Sequence, residues 1–77
     1  MNAVSPNDKQ TVAAECRNRA IEVEDIKDSL LKSRELLSGA EESSVFMSFI
    51  SLGAAIEKLG IAAEILSDTA DKLYKDL

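Results

Sequence analysis

The chain has 77 residues, a formal net charge of −5 and a pI of about 4.6, which bounds it to one small acidic domain. One cysteine and no histidine exclude an internal disulfide, a zinc site and a histidine-activated nucleophile. The acidic balance argues against nucleic acid and anionic membrane surfaces, and a domain this small must find its stability in regular helix packing, self-association or a partner.

At the amino end, MNAVSPNDKQ has no basic segment followed by an apolar run, so it does not read as a signal peptide. Residues 1–5 are expected to be loose, with a helix starting at SPND: Ser5 as N-cap, Pro6 at the first helical position and Asp8 as an acid in the first turn. The first helix is predicted over residues 6–38. With Cys16 at heptad position a, Val23, Leu30 and Leu37 follow at a, and Val12, Arg19, Ile26 and Ser33 fall at d. Ala13 and Ala20 flank this seam, and Ile21, Leu31 and Leu36 widen the apolar face beyond it. Glu15 with Arg19 and Asp28 with Lys32 are spaced to pair along the outside.

The turn is predicted over residues 39–43. Gly39 suits a left-handed residue that ends the first helix, and Ser43 or Ser44 could cap the second. A competing solution is a capping box from Ser38 to Glu41, which puts the turn in the same place.

The second helix is predicted over residues 44–76. Val45, Phe49, Leu52, Ile56, Leu59, Ala63, Leu66, Ala70, Leu73 and Leu77 alternate steps of four and three without a miss. Asp68 with Lys72 and Asp71 with Lys75 support its last turns. Two helices of nearly equal length, ~50 Å each at 1.5 Å per residue, joined by a short turn make an all-α antiparallel hairpin.

The stretch Ser43–Leu66 carries only three charges in twenty-four residues, more apolar surface than one hairpin seam can use. A membrane span needs about 20 apolar residues, and Glu57 and Lys58 interrupt this run after a dozen uncharged positions. The chain is therefore expected to be cytoplasmic, where a single thiol is unremarkable. Outside the seam lie Phe46, Met47, Ile50, Ile61 and Ile65. Gly53, Gly60 and Ser67 line one flank, with Ser48, Ala55, Ala62 and Thr69 on the other. Two glycines seven apart share a face, where absent side chains let another backbone come close. The surplus predicts a dimer of hairpins forming a four-helix bundle. Its helix-packing or partner interface comprises Phe46, Met47, Phe49, Ile50, Leu52, Gly53, Ile56, Leu59, Gly60, Ile61, Ala63 and Leu66.

No catalytic, cofactor-binding or metal-binding grouping stands out. Cys16 has no basic partner of the histidine type and sits on the seam, so a buried, inert thiol is the reading. Glu22, Asp25 and Asp28 share one helical face and read as solvated acids rather than a cation site. Gly53 and Gly60 lie inside a helical repeat, not in a phosphate loop. Arg19 at d is a polar interruption that can snorkel at the end of the bundle, and Tyr74 beside the seam is expected to pack.

The segment DTADKLYKDL, Asp68–Leu77, resembles the end of the second helix in the plasmid repressor-of-primer family, dimers of helical hairpins that bind paired RNA loops. The resemblance covers ten residues and implies the hairpin architecture. It does not extend to RNA binding. The family's RNA face is basic and bears an aromatic on the first helix, whereas this chain to Glu42 has nine acids, six bases and no aromatic.

The function expected is therefore non-enzymatic, acting through protein–protein contact: a dimeric adaptor, regulator or phage- or plasmid-type inhibitor. The alternative is a small acidic chaperone of the secretion type that holds an amphipathic helix of a client in a groove lined by Phe46, Met47, Ile50 and Ile61.

Overall fold

A computed structural model describes residues 3–77 as two helices, α1 over Pro6–Glu35 and α2 over Ser43–Lys75, packed along their lengths as an antiparallel hairpin. Of the expected loose segment, residues 1 and 2 lie outside the described residues. Ala3 and Val4 have no regular structure, and Ser5 already belongs to the helix cap. The Ser5 hydroxyl accepts a hydrogen bond from the Asp8 amide at 3.1 Å, with Pro6 at the start of α1. One orphan N–H of the first turn is thereby satisfied, and a missing one is placed where it costs nothing.

α1 stops at Glu35, three residues earlier than the sequence suggests. The chain tightens over residues 36–40 through i to i+3 bonds: Leu36 N–H to Ser33 O, Leu37 N–H to Arg34 O, Ser38 N–H to Glu35 O and Ala40 N–H to Leu37 O. Gly39 then takes φ +79°, the left-handed conformation that reverses the chain, and its Cβ-less backbone adopts it without strain. α2 starts with Glu42 at the N-cap position, extended but with no side-chain cap bond; neither Ser43 nor Ser44 serves as cap. The Ser44 carbonyl instead accepts the Ser48 hydroxyl at 3.0 Å.

The α2 seam runs as the repeat predicts: Val45 through Leu73 are all buried or half-buried at every three-four step, and only terminal Leu77 is exposed. The α1 seam differs from the expected one. It runs Ala13, Cys16, Ala20, Val23, Lys27, Leu30 and Arg34, on to Leu37 in the turn. Val12, Arg19, Ile26 and Ser33, the expected d positions, are all exposed. The cause is spatial. Alanines at 13 and 20 let the helices approach closely, and the next two positions of that row place long cationic side chains over glycines of α2, as described below.

Among the described residues only four alanines, Ala13, Ala20, Ala63 and Ala70, are buried, and no large side chain is fully enclosed. The molecule measures 57 × 22 × 13 Å, and 13 Å is little more than one helix diameter. Its radius of gyration of 17.5 Å exceeds the ~11 Å of a compact domain of this length. The hairpin is a slab one helix thick, with both broad faces open.

Candidate protein-interaction surface

The open faces carry the apolar side chains that the seam does not use. Of the residues expected at an interface, Phe49, Leu52, Ile56, Leu59, Ala63 and Leu66 are drawn into the contact with α1. Phe46, Met47, Ile50 and Ile61 remain about half exposed, as does Ile65, so they are the part of the set left for another surface. α1 adds Ile21 and Leu31, and Leu36 in the turn is 86% exposed. The structure therefore splits the predicted interface in two, one half internal to the hairpin and one half free.

Gly53 and Gly60 have a different task from the one their spacing suggests. The Arg34 guanidinium lies over Gly53, where a Cβ would stand 3.2 Å from Nη2. It also stacks on the Phe49 ring at 3.9 Å from Cζ to centroid, and its Nε donates to the Phe49 carbonyl at 3.2 Å. Seven residues back along α1, the Lys27 stem crosses Gly60, 3.7 Å from where a Cβ would be, and its ammonium reaches Glu24 at 2.8 Å. The glycines thus make room for two cations of the same hairpin rather than for a foreign backbone. Sequence reasoning missed this because Val12 and Ile26 looked like better seam residues than alanine and lysine. The legible signal was the match between two cations seven apart on α1 and two glycines seven apart on α2.

Among the expected i, i+4 pairs, Glu15–Arg19 forms at 2.7 Å, and Arg19 also donates to Glu22. Hydrogen bonds donated to these two carboxylates hold the Arg19 guanidinium above its ordinary pKa. Arg19 is therefore an exposed surface clasp, not a polar seam residue. Asp71 turns away from Lys75 and crosses to Arg17 at 2.7 Å, with the Arg17 guanidinium 4.9 Å from the Tyr74 ring. The hydrogen bond that Lys27 donates to Glu24 likewise raises the pKa of Lys27. Cys16 is a half-buried free thiol on the seam. Among the described residues no group of three or more His, Cys, Asp or Glu is arranged to hold a metal.

One groove of about 910 Å³ runs between the helices over the middle of the hairpin. Ala20, Ala63 and Ser67 form its small-residue floor, beside the Lys27 stem that covers Gly60, and Ile21 and Ile61 contribute its apolar walls. Glu24, Asp25, Glu57, Glu64 and Asp68 rim it, against Arg17 and Lys27. α2 is also long and apolar enough, by length and composition alone, to cross a membrane.

No family model, no curated protein and no solved structure matches this chain.

Proposed function

We propose that this chain is a non-enzymatic protein-interaction module that assembles as a dimer of hairpins, a four-helix bundle, through the turn-proximal half of α2. The observation that carries this reading is the slab itself: among the described residues only four alanines are buried, while Phe46, Met47 and Ile50 lie open. Residues 43–56 contain no charge, so two copies can oppose this stretch without like-charge repulsion. Covering what remains exposed of such a half-exposed apolar side chain contributes about 1 kcal/mol. Three on each copy supply enough to offset much of the cost of association. Working in the cytoplasm, away from membranes, belongs to the same proposal, because the exposed flank of α2 carries Glu57, Glu64 and Asp68, which an anionic bilayer repels.

Light scattering after gel filtration, over a concentration series, tests it. The expected mass is twice 8.3 kDa, held on dilution in the wild type and halved by Ile50→Asp. A wild-type monomer that binds a hydrophobic dye sinks the dimer and favours the second reading. In that reading the same residues hold an amphipathic helix of a client, as a small chaperone does, supported by Met47 and Phe46 standing free side by side.

A further inference from the structure

The mid-hairpin groove differs in chemistry from the uncharged stretch nearer the turn, and a second copy of this chain does not suit it. Five carboxylates rim it. Its two cations are already engaged, Arg17 with Asp71 and Lys27 with Glu24. Asp25, Glu57, Glu64 and Asp68 have no ion-pair partner among the described residues. A twofold axis across this groove would set these acids against their own copies, and like charges across an interface are unfavourable.

The shape fits a helix. A floor of Ala20, Ala63 and Ser67, beside the Lys27 stem that covers Gly60, keeps the groove shallow enough for a third helix to lie along α1 and α2. Ile21 and Ile61 offer apolar contact beside that floor. Carboxylates stand on both sides, Glu24 and Asp25 from α1, and Glu57, Glu64 and Asp68 from α2. On α2 they recur at intervals of seven and four, a row over about three helical turns. A helix lying in the groove therefore meets negative charge along both flanks and apolar surface beneath it.

We infer that this groove docks a basic amphipathic helix of another protein, one whose narrow apolar stripe is bordered on both sides by Lys or Arg. This surface adjoins the proposed dimer contact and lies further along α2 from the turn. The neighbouring carboxylates speed its capture and fix its orientation, while the apolar stripe holds it in place.

The probe is a synthetic helix of about 18 residues, leucine along one stripe and lysine on both borders. It is compared with a scrambled peptide of the same composition and with a version carrying glutamate for lysine. Calorimetry at two salt concentrations measures binding, and light scattering on the same samples measures assembly. The stripe peptide is expected to bind, with affinity that falls as salt rises, and the glutamate and scrambled peptides at least roughly tenfold more weakly. Glu57→Lys/Glu64→Lys is expected to weaken binding by roughly tenfold or more while helicity by circular dichroism stays unchanged. Ile50→Asp should leave peptide binding intact while altering the mass, so a failed dimer and a failed groove give different results. Absence of binding, equal binding of the three peptides, or binding that survives the charge reversal overturns the inference. So does a charge-reversed variant that changes only the mass, which would mean a second copy fills the groove, or a wild-type chain that moves to anionic vesicles in preference to the peptide.

Discussion

Arg34 and Gly53 interlock, and the contact is close enough to cancel the usual gain of a glycine-to-alanine substitution. Alanine in a helix interior is favoured over glycine by up to ~1 kcal/mol. At Gly60 the new methyl would meet Lys27 at ordinary van der Waals distance, so Gly60→Ala is expected to raise the thermal midpoint. At Gly53 the methyl would crowd a guanidinium fixed by the Phe49 ring and carbonyl, so Gly53→Ala should gain nothing in the wild type. In an Arg34→Ala background the same substitution should recover about 1 kcal/mol, and a denaturant double-mutant cycle reads that coupling. Additive effects at the two positions would mean that the guanidinium does not occupy this place. From the sequence, both glycines were visible as packing residues, but their occupant was not. A periodicity count rewards large apolar side chains, and here the positions facing α2 hold alanine, lysine and arginine. Half-buried cation stems look polar in sequence and behave as packing in the fold.

The two helices are defined unequally at their ends. α1 has a capped start, and Ser5→Ala should cost about 1 kcal/mol by removing the acceptor of the Asp8 amide. α2 starts at Glu42 with no side-chain cap bond. Glu42→Asp therefore is expected to stabilise by roughly 0.5–1 kcal/mol, measured by urea unfolding, because the shorter carboxylate can reach the N–H groups of the first turn. Gly39→Ala forces a β-carbon into the left-handed region and should cost a comparable amount. The SPND start and Gly39 were readable because each rests on local chemistry that few residue types satisfy. The last turn of α1 was not, because its apolar residues continue through Leu36 and Leu37 after the i to i+4 bonds have given way to tighter ones.

Taken whole, a slab one helix thick has too little interior to be strongly stable by itself. If the turn-proximal half of α2 pairs with a second copy, unfolding is coupled to dissociation. The thermal midpoint should then rise with protein concentration, and Phe46→Asp should lower it and abolish that dependence. A midpoint independent of concentration over a hundredfold range would exclude self-association as the source of stability. The all-helical hairpin was legible at this scale because the α2 repeat runs for more than four heptads without a miss. The groove was not, since it depends on which face of α1 meets α2, and that choice turns on the alanines.

The offset between the arms also constrains their length. Arg34 lies over Gly53 and Lys27 over Gly60, so seven steps back along α1 match seven steps forward along α2. An insertion or deletion in one arm would slide each cation onto a residue with a side chain, and the mismatch would persist to the open end. Removing one heptad from both arms together preserves every remaining pairing. Chains built on this plan can therefore vary in length only in paired quanta of seven, while the residues around Gly39 are free to change in number without disturbing the meshing beyond them.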